Sequence, residues 1–302
     1  MKIKSKTHNQ NINFNLSLFH VVKAKMYQKF GLKSPEEKKI KIVKKGIDVY
    51  PFVKLKTNKI FYYRDIKEVL LEIFTRYEFS HYEIDHPAHK KYGIHRNHID
   101  NLTNLKVDDK TREFLLEKMP IKKGDVVIEL GAYYGFGTMK LSELVGNEGK
   151  VVAVEADKVN YEILKKNIQS NNISNVITIN KGIWNKEGKG TLYKIKNQGN
   201  SLVPELLKNS SQSEIEIDTI DNILSSCGLD KVDFVSMEIN GAEKEALLGM
   251  SNTLLQKKLR LVAAGWYEYN SKLSHHHIVD ILQKNNFKTF VGVQNRVYAL
   301  KD

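Results

Sequence analysis

The chain has 302 residues, 41% of them hydrophobic and 27% charged, with 48 Lys and Arg against 35 Asp and Glu for a formal net charge of +13. Such a composition allows a well-buried globular core and excludes disordered, collagen-like and disulfide-scaffold classes. A single cysteine, Cys227, rules out an internal disulfide and any cysteine-based zinc or iron–sulfur site, so a cytoplasmic location is expected.

The charge is concentrated at the N-terminus. Residues 1–60 hold 15 lysines against Glu36, Glu37 and Asp48, a net +12, whereas residues 121–302 hold 23 basic and 21 acidic residues. Of the 48 basic residues 42 are Lys, and base-edge or phosphate-fork recognition leans on Arg, which disfavours nucleic acid as a partner. Leu16, Phe19, Val22, Met26 and Phe30 recur at helical spacing with Lys23, Lys25 and Lys29 between them. That pattern predicts a basic amphipathic helix, suited to packing on the core or to a peripheral membrane contact. No run of about 18 apolar residues occurs, and the first apolar run is broken by His20 and Lys23 without a small-residue cleavage site. Neither a membrane span nor a secretory leader is expected.

Short strands are predicted over 40–60, where Lys alternates with Ile, Val and Leu. A helix follows over 65–78 with Asp65 as its cap, then a polar, His-rich stretch to 104 and a second helix over 108–118. From 125 the pattern alternates strand and helix. Strands are predicted at 125–130, 150–155, 176–180, 232–238 and 259–264, with an added short one at 215–218. Helices fall at 138–145, 158–169, 242–255 and 274–284. Near-continuous apolar strands separated by helices signal a parallel sheet covered on both faces. The chain closes with strands at 287–293 and 297–300, separated only by Gln294, Asn295 and Arg296; strands that close form a hairpin, so one of them runs antiparallel.

Between the first of these strands and its helix the sequence reads VVIELGAYYGFG, with Gly131, Gly135 and Gly137 in the turn. Missing β-carbons there let backbone approach a ligand. Glu129 ends the strand two residues before Gly131, and Glu155 ends the second strand, 20 residues beyond Gly135. The second acid suits the two hydroxyls of a ribose. An acid at the first turn repels a pyrophosphate but suits the ammonium and sulfonium of S-adenosylmethionine, so that is the cofactor predicted. Tyr133 and Ala156 belong to the same two turns.

Residues from about 108 to the end resemble the FkbM family of S-adenosylmethionine-dependent methyltransferases. The resemblance rests on KKGDVVIELGAYYGFGT, GKVVAVEADKVNYEILKKNIQSNN, NVITINKGIWNKEGKGTLY, EIEIDTIDNIL and VDFVSMEINGAEKEALLGM, in that order. It implies a class I methyltransferase α/β three-layer sandwich, Rossmann-like, with the terminal antiparallel hairpin. We expect two regions: a small basic α+β region over 1–105 and the methyltransferase domain over 106–302. The chain departs from the family pattern in three places. Glu238 and Asn240 stand where the family run reads IDVEGAE, Glu155-Ala156-Asp157 replaces Glu-Pro, and Glu129 stands where Asp is common.

Methyl transfer is an in-line displacement, so the protein must chiefly bring an acceptor atom to about 3 Å from the activated methyl. Glu238 is the first candidate for contacting the methionine end or for taking a hydroxyl proton. Gly182 and Ile183, after the third strand, offer backbone to the adenine, a placement carried by the resemblance. Trp266, Tyr267 and Glu268 follow the fifth strand, where an aromatic ring can stack on a sugar; Tyr267 and, from the His-rich stretch, His81 join Glu238 as catalytic candidates. His86, His89, His95 and His98 have a regular spacing, but four-histidine structural zinc sites are uncommon, so no metal is assigned. His275, His276 and His277 read as a solvated helix start. The predicted function is O-methylation of a sugar hydroxyl in a glycan or glycosylated metabolite. RNA methylation and a non-catalytic binding module of the same fold stand as alternatives, and the oligomeric state is not legible.

Overall fold

The computed structural model describes residues 42–55, 58–65, 68–69, 117–194, 199–204, 210–269, 272–292 and 295–302. The predicted amphipathic helix over 16–30 and the histidines His81, His86, His89, His95 and His98 lie outside them, as does most of the helices expected at 65–78 and 108–118. The chain divides at Ile84/Asp85 into two compact units, with Gln169–Asn171 counted in the first.

In the first unit β1 (Ile42–Ile47), β2 (Pro51–Leu55) and β3 (Ile60–Tyr62) form an antiparallel sheet. Alternate residues of β2, Pro51, Val53 and Leu55, are buried, the period expected of a half-covered strand. Asp65 does act as a cap: its carboxylate accepts the Glu68 N–H at 3.1 Å.

The second unit is built on seven strands in the order β14-β15-β11-β10-β4-β5-β6. These are β4 (Val126–Leu130), β5 (Lys150–Val154), β6 (Val176–Ile179), β10 (Phe234–Met237), β11 (Arg260–Ala263), β14 (Lys288–Val291) and β15 (Val297–Leu300). Pairs from β6 through β11 are parallel, and β15 runs antiparallel to both β11 and β14. Helices α1 (Phe136–Val145), α2 (Lys158–Ser170), α3 (Ile220–Ser226), α4 (Glu243–Leu248), α5 (Ser251–Leu255) and α6 (Ser274–Lys284) complete the unit. Side chains alternate between the faces. Ile128, Val152, Val235, Leu261 and Ala299 pack with residues of α3 to α6, while Val127, Val151, Phe234, Val262 and Tyr298 pack with Leu141 and Val145 of α1. This is the class I methyltransferase sandwich with its terminal hairpin.

The structure departs from the predicted elements in several places, and α3, capped by the Thr219 hydroxyl, was not among the predicted helices. The single helix expected over 242–255 is two. Asp221 divides it: its carboxylate accepts the N–H groups of Asn252 at 2.8 Å and Thr253 at 3.0 Å, starting α5 afresh. The short strand expected at 215–218 is the end of β9 (Ser211–Asp218), which pairs with β8 (Gly188–Lys194) and β7 (Gly182–Ile183) in a separate sheet. A hairpin of β12 (Glu268–Tyr269) and β13 (Lys272–Leu273) precedes α6. Among the described residues no helix is long and apolar enough to cross a membrane.

Candidate active site

Parallel strands place their carboxyl ends along one edge, and the turns that leave them there meet. Gly131, at φ +86°, leaves β4 so close to β10 that a β-carbon would overlap the Glu238 carbonyl oxygen. Tyr133, at φ +54°, donates its N–H to Glu155 Oε2 at 2.8 Å, joining the first turn to the second. Its ring stacks on that of Tyr134, with centroids 3.7 Å apart.

The buried Glu155 carboxylate also accepts the Asp157 N–H at 2.9 Å and the Asn160 amide at 3.4 Å. Burial, against these donors, pushes its pKa up to about 7. Asp157 in turn caps α2 by accepting the N–H groups of Val159 and Asn160, and its second oxygen takes Lys194 Nζ at 2.8 Å. Ala156 lies between the two acids, and its carbonyl accepts from Asn180 at 3.3 Å.

Glu129 accepts the Thr138 hydroxyl at 2.5 Å. Burial, with the neighbouring charges of Glu238 and Glu155, raises its pKa to about 7. Two buried carboxylates that resist ionisation favour a cationic or hydroxyl-rich ligand, which restores what burial removed. The close-set Gly131 turn and these acids fit S-adenosylmethionine. Glu129 faces the amino group in that arrangement and Glu155 the ribose. The two glycines of the turn make room for protein atoms: Gly131 lies against the Glu238 carbonyl, and a β-carbon on Gly135 would overlap the Leu164 side chain.

Glu238 ends β10 half-exposed, 3.1 Å from Arg296 Nη2. The fully buried Glu243 accepts the N–H groups of Ile239 and Gly241, both at 2.9 Å, and so shapes the turn that carries Glu238. Burial raises the Glu243 pKa to about 7. Tyr267 donates its hydroxyl to Asn240 Oδ1 at 2.5 Å, and burial holds its own pKa well above the usual phenol value.

The structure therefore brings Glu129, Gly131, Tyr133, Gly135, Glu155, Ala156, Glu238 and Tyr267 to one edge, and His81 lies outside the described residues. Gly182 and Ile183 are not in an open turn as expected. They form β7 and pair with Ile217 and Asp218, because β9 is longer than its apolar end suggested. Thr138, Glu243 and Arg296 escaped the sequence reading. Arg296 carried a signal, as one of only two arginines after residue 112 and set in the turn of the terminal hairpin.

Residues 129–289 match the model of the methyltransferase FkbM domain. The chain belongs to that family. It is an S-adenosylmethionine-dependent methyltransferase. Residues 51–184 also match the model of protein-L-isoaspartate(D-aspartate) O-methyltransferase. A probable cobalt-precorrin-6B C(15)-methyltransferase (decarboxylating) of Saccharolobus solfataricus is 27% identical over 149 residues, 43% of this chain and 72% of that protein. Among solved structures, an FkbM methyltransferase from Methylobacillus flagellatus KT is similar at TM-score 0.47 and 16% identity, over 77% of this chain. The match spans 52% of that protein, about half its length. Aeropyrum pernix fibrillarin with natively bound S-adenosyl-L-methionine is similar at TM-score 0.43 and 10% identity, over 86% of this chain and 99% of that one. The FkbM match begins at Glu129 and contains Glu155, Glu238 and the GAE run of 241–243.

Proposed function

We propose that this FkbM-family chain is an O-methyltransferase acting on a sugar hydroxyl of a glycan or glycosylated metabolite. The observation that carries this reading is the half-exposed Glu238 carboxylate, whose partner Arg296 lies against Trp266 with Tyr267 next to it, at the edge shared with Gly131. A carboxylate can take a hydroxyl proton, and the aromatic rings give a sugar a face to stack on. The bound cofactor supplies the activated methyl group. Glu129 and the Gly131 turn hold its methionine end, and Glu155 its ribose. Tyr267, fixed by Asn240, lines the acceptor side. Glu238 removes the proton as the acceptor oxygen gains the methyl, leaving a methyl ether and S-adenosylhomocysteine.

The test is transfer of labelled methyl from S-adenosylmethionine to panels of glycans, lipids and RNA, with the product's bond identified by mass spectrometry. Glu238→Gln is expected to lower turnover by about a hundredfold, the scale of a lost general base, while S-adenosylhomocysteine still binds. Methyl appearing on RNA, or on nitrogen, overturns the reading; turnover on any acceptor excludes the non-catalytic module.

A further inference from the structure

The strand register defines a row of residues along the top of the sheet. Leu130, Met237, Ala263 and Val297 stand level across β4, β10, β11 and β15. One step outward lie Gly131, Glu238, Ala264 and, because β15 is antiparallel, Arg296. At about 4.8 Å per strand the Arg296 backbone stands roughly 10 Å from that of Glu238, two strands away. Its side chain nevertheless crosses the end of β11 and brings Nη2 within 3.1 Å of Glu238 Oε2. Small residues at the crossing, Ala264 and Gly265, permit this; a β-carbon on residue 265 would overlap the Asn295 carbonyl oxygen. Trp266 covers the guanidinium, whose Cζ lies 5.1 Å from the ring centroid.

Arg296 is only 4% exposed, and its Nε meets no hydrogen-bond partner among the described residues. A buried guanidinium is costly unless its donors are met. Its ion pair with Glu238 is a single contact of 3.1 Å to a carboxylate that is itself 52% exposed, where a good charge-assisted bond is about 2.7–2.9 Å. The fork thus has more donor capacity than Glu238 uses, and its planar geometry matches a carboxylate.

We propose that Arg296, backed by Trp266, is an acceptor-binding residue, and that the acceptor carries a carboxylate near the hydroxyl that is methylated. The inference rests on the hydroxyl-methylation reading above. The acceptor carboxylate takes the Arg296 fork and displaces Glu238, which is then free to accept the hydroxyl proton.

Methyl glucuronide and methyl glucoside, alike except for the carboxylate, are suitable probes. Binding to the full chain loaded with S-adenosylhomocysteine can be followed by Trp266 fluorescence in a Trp184→Phe background, since these are its two tryptophans. The glucuronide is expected to bind at least about tenfold more tightly, as a charge-assisted pair allows. Arg296→Met should abolish that preference, and Arg296→Lys, which keeps the charge but not the fork, should retain only part of it. Equal binding of the two sugars, binding of neither, or an undiminished preference in Arg296→Met overturns the proposal. Arginine-dependent binding of the glucuronide without methylation of its hydroxyls supports the carboxylate site and refutes the hydroxyl reading instead.

Discussion

Glu155→Gln separates holding the fold from holding the cofactor. The buried Glu155 carboxylate has its pKa raised to about 7, so keeping it ionised at pH 8 costs about 3 kcal/mol. Glutamine removes that cost. Its amide nitrogen cannot accept, however, so either the Tyr133 or the Asp157 N–H loses its acceptor, at about 1–3 kcal/mol. The two effects nearly cancel, and the melting temperature should move by only a few degrees. A ribose bound to this carboxylate loses a charge-assisted acceptor worth about 1.5–3 kcal/mol, which weakens binding roughly ten- to a hundredfold. Titration calorimetry with S-adenosylhomocysteine and scanning calorimetry of the free protein, both at pH 8, measure the two quantities. A variant that melts far lower yet binds S-adenosylhomocysteine as tightly as the parent would refute the reasoning, because Glu155 would then serve only the fold.

Two further outcomes are expected. Glu129, Glu155 and Glu243 all have pKa values raised to about 7 from 4.5, so the folded state keeps protons that the unfolded state has released. Their contribution to stability is full below pH 4.5 and is lost as pH rises through 7. The melting temperature of the free protein should therefore fall across that window, and a steady rise would contradict it. Gly131→Ala combines a left-handed φ, costing about 1–2 kcal/mol, with overlap on the Glu238 backbone carbonyl. Urea unfolding should show a loss beyond the φ cost alone, together with loss of S-adenosylhomocysteine binding; unchanged stability would refute the close approach.

Much of the methyltransferase domain was legible because its strands are short apolar runs and its helices carry a strong period. The spans predicted for α6 and β15 match those observed, and β4 and β5 differ by one residue at an end. The GAE run was visible, but not that Glu243 turns inward to hold the N–H groups of Ile239 and Gly241. The break between α4 and α5 was also hidden, since Asp221, which caps the second helix, stands 30 residues earlier in the chain.

Charge divides the chain into a lysine-rich first fifth and a nearly neutral remainder, a division the residues carry by themselves. The sequence also determined by itself the alternation of strand and helix, the glycine turn and the two strand-end acids, because each depends on neighbours within a few residues. Only the tertiary structure decided that Glu129 and Glu155 are buried enough to resist ionisation, that Gly131 must clear the Glu238 carbonyl, and that Arg296 reaches across β11 to Glu238. Those properties depend on which strands stand side by side, and strand order is set by packing across the whole sheet rather than by any local pattern.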